Sequence, residues 1–110
     1  MKKRDYLGGF ELLVLLAVIR LEDAYGVPIA DAIEASSGRK VSVGSLYLTL
    51  QRLEAHGFVL SRVGDSSPER GGRAKTHFRI TGKGLRAVRN AQRTLVKLWT
   101  GVPRLQGGAA

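Results

Sequence analysis

Two stretches of this chain carry the side chains best suited to chemistry, and the chemistry they suit is contact with a polyanion. In the first, Gly44, Ser45, Leu48, Gln51 and Arg52 share one side of a helix, with Ser42 at its N-cap. Small side chains at a helix start let it approach the major groove of B-DNA closely. Gln51 can offer a paired donor and acceptor to adenine, and Arg52 can reach guanine or phosphate. A merely solvated charge is the plainer account of Arg52. Leu48 is either a partner for a thymine methyl or one of the harmless exposed leucines that proteins tolerate. Tyr47 lies on the flank, where it can bond a phosphate through its hydroxyl or serve as a core residue. In the second stretch Arg70, Arg73 and Lys75 bring cations, and Gly71-Gly72 lets the backbone approach a phosphate or enter the minor groove.

Bond-making chemistry has little to stand on. The two histidines, His56 and His77, have no carboxylate pair at useful spacing. They also make a poor metal set, and the absence of cysteine removes thiolate sites, disulfides and a Cys nucleophile. Gly82-Lys83-Gly84 lacks the glycine spacing and the Lys-Ser/Thr pair of a phosphate loop. The expectation is a protein that is not an enzyme and needs no metal or cofactor.

The elements that must position these residues are legible from periodicity. Gly9 to Leu21 predicts a first helix, apolar over nearly its whole circumference. It is either a central core helix or one held between its own domain and a second subunit. A turn over Asp23 to Gly26 leads to a second helix with Pro28 in its first turn, ended by a left-handed cap at Gly38. Arg39 to Val41 is expected to pair as a short strand. The third helix starts at the N-cap Ser42, buries Val43, Leu46, Leu50 and Leu53, and stops at Gly57. Val59 to Val63 and Thr76 to Ile80 read as two strands, Phe78 and Ile80 facing opposite to His77 and Arg79. Their connection, Gly64 to Ala74, is longer than a tight turn, as a wing would be. Thr81 caps a last helix running to about Thr100, in which Leu85, Val88, Gln92, Leu95 and Trp99 form a coiled-coil seam with one polar member.

The 110 residues fit one domain. Lys and Arg number 18 against 9 Asp and Glu, a net charge of +9. That balance points to nucleic acid or an anionic membrane surface, or to a merely soluble basic protein. The excess lies entirely beyond residue 30, and no acidic residue follows Glu69. The longest apolar run, Leu12 to Ile19, is too short to span a bilayer and has no signal-type cleavage site after it. The default location is cytoplasmic, without membrane attachment.

Three motifs in order resemble the PadR family of winged-helix transcriptional regulators. The family's helix pattern, roughly T-L-Y-x-x-L-x-R-L-E-x-x-G, stands here as Ser45-Leu46-Tyr47-Leu48-Thr49-Leu50-Gln51-Arg52-Leu53-Glu54-Ala55-His56-Gly57. Its wing pattern, G-G-R-x-[KR]-x-[YF]-[YFR]-x-[LIV]-T, is matched by Gly71 to Thr81, and Tyr25-Gly26 is similar to the family's Y-G pair. Leu48 replaces a frequent proline, and His77 an aromatic, which affects operator preference and not the fold. The resemblance covers about residues 8–99 and implies a mainly α fold with a small β-hairpin (α+β). It divides into a winged helix-turn-helix over 1–81, a dimerisation helix over 82–102 and a disordered tail over 103–110. The short subgroup it is similar to dimerises through the last helix and the first. That implies an interface of Phe10, Leu13, Leu85, Val88, Gln92, Leu95 and Trp99.

Taken together, the residues and the resemblance predict a DNA-binding transcriptional regulator acting as a homodimeric repressor on a double-stranded operator. Ser42, Gly44, Ser45, Tyr47, Leu48, Gln51, Arg52, Arg70, Gly72, Arg73 and Lys75 are the candidate DNA contacts. Trp99 is either a dimer-packing residue or, as in relatives that bind aromatic compounds at this interface, a stacking surface for a small aromatic effector. A sequence-neutral nucleic-acid binder and a protein-binding winged-helix adaptor are the alternatives.

Overall fold

The computed structural model describes residues 7–64 and 75–105. Along the chain run α1 (Gly9–Leu21), α2 (Gly26–Ser37), α3 (Val43–Ala55), β1 (Val59–Val63), β2 (Thr76–Ile80) and α4 (Gly82–Thr100). Four helices and the hairpin strands stand where the sequence places them, and their ends follow from local chemistry. Glu11 accepts the Gly8 N–H at 2.8 Å and closes the start of α1. Gly38, at φ 73°, ends α2 in the left-handed region, and Gly57, at φ 82°, does the same after α3. Ser42 Oγ accepts the Ser45 N–H at 3.1 Å, and Thr81 Oγ1 accepts the Gly84 N–H at 3.0 Å. Each hydroxyl satisfies a donor that a helix start leaves without an internal partner.

The core forms where the inner faces of these elements meet. Val14, Leu15 and Val18 of α1, Ile29 and Ile33 of α2, and Leu46, Leu50 and Leu53 of α3 are buried together with Phe58, Val59 and Phe78. Val43 departs from the expected stripe: it is 42% exposed, because the first residue of α3 precedes the turn that meets the core. On the outer side of α1, Leu16 remains exposed. The inner face of this helix is therefore core, and its outer face is left over.

β1 and β2 pair antiparallel, Ser61 opposite Phe78. The strand expected at Arg39 to Val41 does not form. Instead Ala24 pairs with Phe78, giving and receiving backbone bonds of 3.3 and 2.9 Å. The turn before α2 thus occupies the free edge of β2. Glu22 makes this turn possible by adopting φ 72°, a conformation that side chains other than glycine rarely take.

Gly84 sets how α4 leaves the hairpin. A Cβ there would collide with the backbone O of Phe58 and stand 2.6 Å from Ile80 Cδ1, so only glycine allows the helix to start this close. Ala87 and Val88 still pack against the core, whereas every residue from Gln92 to Thr100 is exposed. Of the expected tail, residues 103–105 belong to a turn in which Leu105 N–H bonds Val102 O at 3.0 Å. Residues 106–110 lie outside the described residues.

Candidate nucleic-acid interface

α3 is held by its buried side and by two lateral contacts. Glu54 accepts from the Ser61 N–H at 3.2 Å and the Ser61 hydroxyl at 2.7 Å, tying the end of α3 to β1. Tyr47 is half-buried, its ring 6.0 Å from that of Phe78 and directly against Gly26. A Cβ at Gly26 would fall 2.8 Å from Tyr47 Cε2, which explains why glycine follows Tyr25 here. The ring is therefore structural. Its flank position leaves α3 with one free face.

That free face carries the expected residues. Gly44, Ser45, Leu48, Gln51 and Arg52, with Ser42 before them, are all on the surface, Leu48 by 59% and Ser45 beside it. In front of them lies an open cleft of about 420 Å³, lined by Phe10, Arg39, Lys40, Ser45, Leu48 and Arg52 among others. Among the described residues the cleft brings three cations together and no carboxylate. The Arg39 guanidinium lies 4.8 Å from the centroid of the Phe10 ring, which aligns it by cation–π attraction. Arg39 and Lys40 were not among the candidates read from sequence. The available signal was two adjacent cations between a helix-ending glycine and a helix-starting serine.

The hairpin base forms a second polar group. The Gly64 N–H bonds Lys75 O at 2.7 Å. Lys75 Nζ sits 4.7 Å from the Tyr25 ring centroid, and that ring is 5.6 Å from His77. Arg62 donates to Asp23 Oδ2 at 2.6 Å, and His77 Nδ1 lies 3.8 Å from Asp23 Oδ1. The Arg62 hydrogen bond holds the Asp23 carboxyl below its ordinary range, against an opposing desolvation. Arg70, Gly71, Gly72 and Arg73, expected on the wing, lie outside the described residues.

The residues expected at a subunit interface fall into two sets. Phe10, Leu13 and Val88 pack partly against the protein's own core, and Leu85 is half-buried. Gln92, Leu95 and Trp99 are exposed, Trp99 by 56%. Leu95, Val96, Trp99 and Thr100 line a shallow apolar groove of about 300 Å³. Trp99 Nε1 donates to Leu105 O at 3.3 Å, which anchors the indole across the final turn.

Three packed helices, an antiparallel hairpin after the third and a long helix beyond it define a winged helix-turn-helix. A model of the transcriptional regulator PadR-like family matches residues 15–90, so the chain belongs to that family, whose members are regulators and not enzymes. A PadR family transcriptional regulator from Eggerthella lenta DSM 2243 superposes at a TM-score of 0.71 with 27% identity, over 91% of this chain and 83% of that one. A PadR-like regulator from Bacillus cereus strain ATCC 14579 gives 0.71 at 24% identity, over 91% and 93%. Bacillus subtilis PadR, solved in complex with operator DNA, shares the fold at 0.65 with 16% identity, over 76% of this chain and 46% of its own. Among curated proteins no sequence matches the chain significantly.

Proposed function

We propose that this protein is a sequence-specific DNA-binding repressor acting as a homodimer. α3 enters the major groove, with Gln51 and Arg52 reading bases and Ser42, Gly44 and Ser45 allowing close approach. Leu48 meets a thymine methyl, and Tyr47 holds the helix at its depth. The segment between β1 and β2, with Arg70, Gly72, Arg73 and Lys75, meets backbone or minor groove. Residues 1–81 act as the DNA-binding unit, and 82–102 hold the dimer through α4 and α1. The observation that carries this reading is the exposed face of α3 beside a cleft that gathers Arg39, Lys40 and Arg52. Cations grouped without counter-charge beside a helix with a free, small-residue face suit phosphates flanking a groove. The Bacillus subtilis complex adds support, because that protein shares the fold and was solved in complex with operator DNA.

No helix among the described residues is long and apolar enough to cross a membrane. Contact with operator DNA would occur in the cytoplasm. A second ligand is proposed for Trp99: the exposed indole and the neighbouring apolar groove suit stacking of a small aromatic effector between two α4 helices.

The test is a footprint on the DNA upstream of the protein's own gene, with unrelated duplex as competitor. A protected site that survives excess competitor is the expected result. Equal competition by any duplex would replace this reading with a sequence-neutral binder. Indifference to all DNA would replace it with a protein-binding adaptor.

A further inference from the structure

α4 carries a second feature, on the side away from its apolar seam. Lys83, Arg86, Arg89, Arg93 and Lys97 line it at the surface, and the helix contains no acidic residue. At about 100° per residue the five fall within a sector of about 120°, centred about 140° from the seam of Leu85, Val88, Leu95 and Trp99. Among the described residues none of them is within ion-pair distance of a carboxylate. Lys83 donates to His56 O at 2.8 Å and Arg93 to Asn90 Oδ1 at 2.8 Å. Successive members stand three or four residues apart, the spacing at which like charges destabilise a helix. Glutamates interspersed on this face would have given equal solubility and stabilising pairs. Among the described residues the partners of this stripe are neutral, so an external polyanion would relieve its like-charge repulsion.

We propose that this stripe is a second, sequence-neutral surface for duplex DNA, so that the dimer bridges two duplex segments. The proposal rests on the dimeric DNA-binding reading above. Three observations choose the occupant. From Lys83 to Lys97 the stripe runs about 21 Å, along which a duplex presents one phosphate charge per about 1.7 Å of axis. Its beginning is tied to the C-terminal end of α3, through Lys83 and His56, while Arg39 and Lys40 of the cationic cleft precede the start of that helix and only Arg52 of the cleft cations lies in its last turn. Two of the three cleft cations therefore stand about a helix length, roughly 20 Å, from the start of the stripe, which leaves the stripe to a separate duplex segment. A lipid surface fits less well. An interfacial helix must bury its apolar side, and here that side is the dimer seam, while the cations point the other way.

The test uses the full-length protein and two duplexes. A duplex from upstream of its own gene is immobilised and saturated with protein, and a fluorescent duplex of unrelated sequence is added. Wild type should capture the second duplex. The variant carrying Arg86→Gln, Arg89→Gln, Arg93→Gln and Lys97→Gln should load the first duplex equally and capture the second at least tenfold less. With four phosphate-neutralising cations removed, the log–log salt slope of second-duplex capture should become shallower by about three to four. Glutamine keeps helix propensity, and sedimentation of the variant as a dimer confirms the fold. Capture by the variant equal to wild type overturns the proposal, as does wild type that loads the first duplex and never captures the second. A monomeric variant would assign the stripe to subunit contact and overturn it too. Preferential binding to phosphatidylglycerol vesicles, abolished in the variant, would make it a lipid surface instead. Wild type that fails to load the first duplex would sink the DNA-binding reading itself.

Discussion

Gly26→Ala is the substitution whose effect can be worked most directly from the structure. The new Cβ would lie 2.8 Å from Tyr47 Cε2 and 3.0 Å from both Cζ and the hydroxyl oxygen. Ordinary contact begins near 3.4 Å, so the ring must withdraw by about 0.6 Å (3.4 − 2.8). Phe78 also packs on this half-buried ring, at 6.0 Å between centroids and 55° between planes, which limits how it can move. Overpacking of this kind costs about 1–3 kcal/mol, and alanine in place of a helical glycine returns up to about 1 kcal/mol. The net loss should be about 1–2 kcal/mol, a fall in Tm of roughly 5–10 °C for a domain of this size. Calorimetry or denaturant unfolding measures it. The decisive comparison is the same substitution in a Tyr47→Ala background, where the clash is gone and alanine should be neutral or stabilising. An equal destabilisation in both backgrounds would refute the reasoning. So would a Gly26→Ala protein as stable as wild type with the ring in place.

Leu95 is half exposed on the α4 seam, so the wild type should sediment as a dimer at micromolar concentration and Leu95→Glu should split it; a well-folded wild-type monomer would remove the seam's role. Gln51→Ala should lower affinity for the specific site while sparing random-sequence binding, since a bidentate base contact is worth about 1–3 kcal/mol of discrimination. Arg52→Ala should lower both, and an unchanged ratio of affinities in both variants would move specificity to the wing or to DNA shape. Arg39→Ala and Lys40→Ala should each reduce the log–log salt slope of DNA binding by about 0.9, and an unchanged slope would take the cleft off the DNA. Because Asp23 has its folded-state pKa lowered by Arg62, its contribution to stability is present above the ordinary carboxylate value of about 3.9 and lost as pH falls through the folded value. Asp23→Asn should therefore unfold more readily than wild type at neutral pH, the two converging in acid; a constant difference across that range would assign the effect to something other than this ionisation.

What the chain determined by itself was local. The boundaries of the four helices and two strands were legible because glycine, serine and threonine stand at or next to their ends and apolar periods run between them. The exposed face of α3 was legible too, because burying Leu46, Leu50 and Leu53 leaves Gly44, Ser45, Leu48, Gln51 and Arg52 on the surface. The order of three motifs was enough to indicate the family. Tertiary structure alone decided the contacts between segments distant in sequence. Ala24, and not residues 39–41, pairs on the edge of β2, across the turn in which Glu22 takes φ 72°. Arg39 and Lys40 meet Arg52 in one cleft because α1 lays Phe10 beside the start of α3. Glu54 is bonded to Ser61 because β1 folds back along α3, a pairing that the pattern of that helix does not mark. Such pairings depend on how whole elements pack, and no period or local propensity within a single element encodes them.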